Sequence, residues 1–120
     1  MLAFYLGPTP SIAVAETVDS TITRLAKEYQ VDELLARKIM WCESRNKPDE
    51  KNINKNGTVD YSYWQINSFY WGKEMAELGW DVKNPGHNLE AGFHILSEHG
   101  SKPWVWSKKC WSNPKLVMEE

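Results

Sequence analysis

The chain has 120 residues, of which 42% are apolar. That is enough for one compact core, and nothing in the sequence points to a second. A net charge of -2, with lysines and glutamates interspersed, gives no basic face or stripe and excludes the usual electrostatic footprint of a nucleic-acid partner.

From the N-terminus, Met1 to Ala15 is nearly uncharged and apolar in patches. It ends in Ala13-Val14-Ala15, a small-x-small pattern of the kind that precedes secretory cleavage. It lacks a basic start, and Gly7, Pro8 and Pro10 interrupt its apolar run, so the expectation is a clipped or atypical export signal, with a plain disordered tail as the other reading. Beyond it no stretch approaches the ~20 apolar residues of a membrane span. The expected organisation is a flexible or signal-derived segment at 1–18, a globular domain at 19–111 and a loose polar tail at 112–120.

A first helix is expected from Asp19 or Ser20, either of which can cap it. Ile22, Leu25, Ala26 and Tyr29 then share one face. Asp32 caps a second helix that runs through Ser44, with a stripe of Leu35, Ala36, Ile39, Met40 and Cys42. After a polar stretch, Asn56-Gly57 signals a type I′ hairpin turn between Lys51–Lys55 and an alternating strand from Thr58 to Tyr63. Helix resumes over Phe69–Leu78, with Gly79 as its stop. Asn84-Pro85-Gly86 reads as a loop and Asn88 as the cap of a helix ending at Gly100, with Gly92 marking a close backbone approach. Pro103 opens a short last helix to Cys110. The fold class is α+β and mainly α, a helical domain with a small antiparallel sheet.

Seven tryptophans and five tyrosines fit either core packing or a groove in which flat rings cover the apolar faces of sugars. Cys42 and Cys110 fit one disulfide between an early helix and the C-terminal segment, with two buried free thiols as the alternative. There is no CxxC, and His87, His94 and His99 are scattered, so neither a metal nor a cofactor is expected.

Glu43 is the first candidate for chemistry. It follows Ile39 and Met40 at helical spacing, at the end of the apolar stripe. It also lies in the last helical turn, where the helix dipole disfavours a carboxylate. Burial and dipole both favour the neutral acid and raise its pKa, as a general acid at neutral pH requires. On position alone a surface glutamate at a frayed helix end is the competing reading.

Glu43-Ser44 closing a helix, then Asn56-Gly57, the Asp60-Tyr61 strand and Gln65-Ile66-Asn67, resembles the lysozyme-like superfamily. That superfamily includes the c-type lysozymes and the bacterial lytic transglycosylases of the SLT type. The interval from Glu43 to Asp60 equals that between the two active-site carboxylates of c-type lysozymes. Asn88-Leu-Glu-Ala-Gly92 is similar to an SLT helix motif, and Gly100 to Trp111 to the tryptophan-rich C-terminal segments of both branches. The resemblance covers about residues 20–111 and implies a lysozyme-like fold and cleavage of peptidoglycan glycan strands.

By that resemblance Glu43 matches the catalytic acid, and Ser44 the serine that orients it or a neighbouring backbone group. Gln65 and Asn67 match the substrate-contacting strand, although turn capping is the alternative for both, and Tyr61 is a further substrate-binding candidate. Trp104 matches the tryptophan that packs on the acid and raises its pKa by desolvation, and Trp106 is a further substrate-binding candidate. Asp60 matches the nucleophile or electrostatic stabiliser of hydrolysing lysozymes; a purely structural strand residue is the alternative. Transglycosylases instead use one acidic residue as acid and then base, while the sugar's own 6-hydroxyl closes a 1,6-anhydro ring.

The chain departs from the family in two places. Many lytic transglycosylases have Gly-Leu-Met or Gly-Ile-Phe before the glutamine, where this chain has Ser62-Tyr63-Trp64. The Tyr-Asn-Ala-Gly motif common near the end of SLT domains is absent. The expected activity is lytic transglycosylation, followed by hydrolytic muramidase action through Glu43 and Asp60, and then by a non-catalytic glycan-binding domain. The expected setting is an exported monomer in the periplasm, cell envelope or medium, acting on peptidoglycan.

Overall fold

The computed structural model describes residues 15–119; the reading of the first fourteen residues as an export signal lies outside them. The elements in order are α1 (Val18–Glu28), α2 (Glu33–Ser44), β1 (Lys51–Ile53), β2 (Val59–Tyr61), β3 (Ile66–Asn67), α3 (Ser68–Glu77), α4 (Pro85–His99), a 3-10 helix (Lys102–Ser107) and α5 (Lys108–Trp111). The mainly helical α+β class read from the sequence is the observed one.

α1 starts one turn before the expected caps. Thr17 takes the Ser20 amide on its hydroxyl, and Ser20 takes the Thr17 amide in return, both at 3.0 Å. This reciprocal box satisfies two donors that a cap at Asp19 or Ser20 leaves open. Ile22, Leu25 and Ala26 are buried as expected. α2 begins after Asp32, which accepts from the Leu35 amide at 2.8 Å, and ends where Arg45 turns left-handed at φ +56°. Its stripe buries Ala36, Ile39 and Met40 against α1 and the rest of the core.

The sheet is antiparallel in the order β1-β2-β3, with Asn52 opposite Asp60 and Asp60 opposite Asn67. The Asn56-Gly57 signal marks the first turn but not its type. The connection runs from Asn54 to Thr58, closed by Asn54 N–H to Thr58 C=O at 2.8 Å, and only Gly57 of the pair has positive φ, +85°. The Asn56 carbonyl accepts from the Thr58 amide at 3.0 Å, a local side-chain turn that replaces the two-residue one. The strand expected through Tyr63 stops at Tyr61, because Ser62 sits in the left-handed region at φ +64°. A tight turn to Gln65 follows, and it creates the third strand, Ile66–Asn67, which no alternation in the sequence marked and only the resemblance implied at Gln65 and Asn67.

α4 corrects a second expectation. Asn84 is its cap, taking the His87 amide at 3.1 Å, and Pro85 is its first residue, where a missing N–H costs nothing. Asn88 is therefore inside the helix and fully buried. Its carbonyl accepts from the Trp64 amide at 3.1 Å, while its NH2 donates to Tyr61 and Val82 carbonyls, each at 2.8 Å. One amide thus ties α4 to the Ser62–Gln65 turn.

Trp64 is the hub of the core. Its Nε1 donates to the Leu89 carbonyl at 2.9 Å, and its own carbonyl accepts from Trp104 Nε1 at 2.8 Å. The ring lies on Gly92, where a Cβ would fall inside the indole, and packs edge-on to Phe93. The sequence led us to expect another backbone close to Gly92; what approaches it is a side chain, the Trp64 indole. Burying so large a ring stabilises the fold by about 3 kcal/mol, and its paired N–H leaves no desolvation penalty to offset that.

Candidate active site

A cleft of about 820 Å³ opens between the helical body and the sheet. Glu43 reaches it from the last turn of α2, Asp60 from the middle of β2, and Asn67 from the junction of β3 and α3. The 3-10 helix adds Pro103, Trp104 and Trp106 to the cleft wall.

Glu43 is half-buried, and burial pushes its carboxyl up to about 7. The Ser107 hydroxyl beside it works against that shift, and the negative charge of Asp60 adds to it. A carboxyl so placed holds a proton near neutrality and can hand it to an oxygen entering the cleft.

Asp60 is held by two amides. Its Oδ1 accepts from Asn54 Nδ2 at 3.1 Å and from Asn67 Nδ2 at 3.0 Å. Strand alternation directs it to the cleft and Tyr61 away from it. Tyr61 instead lies between the ammonium groups of Lys51 and Lys83, each 5.7 Å from its ring centre. The structure does not bring Tyr61 into the cleft.

Ser44 is not in the cleft either. It is buried, and its hydroxyl donates to the Tyr63 carbonyl at 2.8 Å and the Met40 carbonyl at 3.1 Å. It pins the end of α2 to the turn before β3, so any effect on Glu43 passes through the backbone. Gln65 borders the cleft at φ +51°, but its amide is engaged elsewhere. Nε2 donates to the Ser62 and Glu50 carbonyls at 2.9 and 3.2 Å, and Oε1 accepts from Asn52 at 2.7 Å. The turn-bracing alternative describes its contacts better than a free amide for sugars does. Asn67 takes the capping role weighed for it: its side-chain carbonyl caps α3 through the Phe69 and Tyr70 amides at 3.0 and 3.1 Å, while its NH2 donates to Thr58 Oγ1 at 2.8 Å and to Asp60 Oδ1 at 3.0 Å.

The cleft also contains residues that the sequence reading missed. Asn54 holds Asp60, Ser107 flanks Glu43, and Tyr70, Trp71 and Glu74 line the wall made by α3. No sequence signal singled out Ser107, since its place beside Glu43 depends on a 3-10 helix kinked at Trp104. The α3 residues had none either, because their approach depends on the left-handed turn that starts β3.

Cys42 and Cys110 form a disulfide with their Cα atoms 5.9 Å apart, joining the residue before Glu43 to the segment after the 3-10 helix. Trp104 is buried, and its carbonyl accepts from Trp111 Nε1 at 3.1 Å. Among the described residues no group of three or more His, Cys, Asp or Glu side chains is arranged to hold a metal ion.

The family model described as Transglycosylase SLT domain matches residues 20–108, most of the chain and the whole cleft. A putative callose synthase 8 of Arabidopsis thaliana is 39% identical over 61 residues, 48% of this chain. The chain spans only 3% of that protein's length, so this likeness says little about the function of either whole protein.

Proposed function

The chain belongs to the transglycosylase SLT family, whose members are lytic transglycosylases acting on peptidoglycan, and from that membership we propose that Glu43 cleaves the β-1,4 bond between N-acetylmuramic acid and N-acetylglucosamine. The catalytic unit of this reading is residues 19–111, acting as a monomer outside the cytoplasm.

The observation that carries the proposal is the Glu43 carboxyl, pushed up to about 7 in a cleft that it shares with Asp60. Protonated Glu43 gives its proton to the glycosidic oxygen as the C1–O bond breaks, and the sugar is left as an oxocarbenium-like centre. The resulting Glu43 carboxylate then takes the proton of the muramic 6-hydroxyl while O6 bonds to C1. The products are a 1,6-anhydromuramoyl end and a free N-acetylglucosamine end, and Glu43 is protonated again. Asp60, oriented by Asn54 and Asn67, supports the positive centre electrostatically.

Asp60 also favours a second reading. A carboxylate in the same cleft, whose charge raises the Glu43 pKa, supports hydrolysis with Asp60 as nucleophile or stabiliser and water as acceptor. Digestion of purified peptidoglycan, followed by weighing the fragments, separates the two. Transglycosylation gives 1,6-anhydro products lighter by one water; reducing ends would establish the hydrolytic reading instead.

A further inference from the structure

Trp106 is 97% exposed, while Trp104, two residues earlier, is buried. Among the described residues it is the one tryptophan of seven classed as exposed. A free indole is costly to leave in water, so its mounting matters.

The 3-10 helix is kinked at Trp104 (φ -109°, ψ 24°), and the kink separates what its side chains do. Trp104 is buried in the core, and Ser107 stands beside Glu43. Lys102 and Val105 are exposed and outside the cleft. Trp106 lines the cleft with its ring in solvent, whereas Glu43 is half-buried with Ser107 at its side. Trp106 therefore belongs to the outer part of the cleft wall, offset from the acid.

The mounting is rigid. Trp104 is tied to the Trp64 carbonyl, Trp111 to the Trp104 carbonyl, and Cys110 to Cys42. These ties hold the backbone on both sides of Trp106, so the position from which the indole projects is fixed and only its side-chain rotation is left to be ordered on binding.

We propose that Trp106 is a stacking platform for a sugar ring next to, and not at, the scissile bond, so that the enzyme discriminates in favour of longer glycan strands. This rests on the reading of the cleft as a glycan site. A flat ring in a cleft wall suits the apolar face of a pyranose. Its offset from Glu43 assigns that pyranose to a neighbouring unit of the same strand.

The test uses β-1,4-linked N-acetylglucosamine oligomers of two to six units, titrated against the Glu43→Gln chain and its Trp106→Ala and Trp106→Phe derivatives. The readouts are affinity and tryptophan emission. With Trp106 present, affinity rises with length and the emission shifts to the blue as the exposed indole is covered. Trp106→Ala should weaken the hexamer roughly tenfold or more, leave the dimer nearly unchanged and abolish the blue shift, with partial recovery in Trp106→Phe. Equal hexamer affinity with and without Trp106 overturns the platform while leaving the glycan site intact. Loss of binding to anionic phospholipid vesicles in Trp106→Ala, with hexamer affinity unchanged, makes the indole a membrane anchor and overturns it too. If no oligomer binds any form of the chain, the glycan reading itself fails along with the platform.

Discussion

Asn67 caps α3 with its carbonyl oxygen and holds the Asp60 carboxylate with its NH2, 3.0 Å from Oδ1. One amide therefore couples the register of the sheet, the start of a helix and the direction of a cleft carboxylate. Replacing it separates those effects. Asn67→Ala should lose about 1 kcal/mol of stability with the cap, whereas Asn67→Ser keeps a cap and most of that stability. Both variants lose the amide that orients Asp60 and should turn over peptidoglycan more slowly. Wild-type turnover in both would remove Asn67 from the site.

Ser62 stands where many lytic transglycosylases have glycine, and it is left-handed at φ +64° with its hydroxyl buried and unpaired among the described residues. An L side chain there costs about 1–2 kcal/mol, and glycine adopts the conformation freely. Ser62→Gly is expected to raise stability by about 1 kcal/mol in chemical denaturation. A loss of stability would contradict the strain ascribed to this turn.

Gly92 has the opposite constraint. A methyl at that position would occupy the Trp64 indole, and Trp64 links α4 to Trp104. Gly92→Ala should cost about 3 kcal/mol or more through overpacking, measurable as a lower denaturant midpoint. An unchanged midpoint would mean that the hub is looser than its contacts indicate.

The disulfide closes a loop with a sequence separation of 68, for which chain-entropy arguments give about 4 kcal/mol. Reduction, or paired Cys42→Ser and Cys110→Ser substitution, should lower the denaturation midpoint by a corresponding amount. It should also loosen the 3-10 helix against Glu43 and reduce turnover. Equal midpoints in oxidised and reduced protein would contradict this.

The raised pKa of Glu43 fixes the sign of two pH dependences. Folding favours its protonated form, so its contribution to stability is complete below about pH 4.5, its ordinary value, and is lost as pH rises towards about 7. Activity needs the same proton and should fall as pH rises through about 7. Denaturation midpoints of wild type and Glu43→Gln across this range check the first, since the variant lacks the slope. Rates against pH check the second.

What was legible in the sequence follows the range of the interactions concerned. α2 was readable because Asp32, the apolar period and the polar break after Ser44 are all local, and they placed Glu43 at a helix end facing inward. The disulfide followed from having two cysteines in a chain read as exported. Asn88 was misread because it is a good cap by type, while its actual bonds run to Tyr61, Trp64 and Val82, which only the folded chain brings near. Gln65 was given a sugar-facing role for the same reason: a left-handed turn directs its amide inward. Ser44, read as orienting the acid or a neighbouring backbone group, bonds the Met40 and Tyr63 carbonyls. The α3 wall of the cleft was invisible, since Ser62 at positive φ ends β2 and returns the chain as β3, and no periodicity announces that reversal.

The most direct measurement is the turnover of purified peptidoglycan by Glu43→Gln, with glycan binding recorded on the same sample. The variant keeps the shape and hydrogen-bonding capacity of the side chain but has no proton to give. The rate should fall by roughly a hundredfold to ten-thousandfold while binding persists. A variant that binds and cleaves like the wild type would contradict the assignment of Glu43 as the acid.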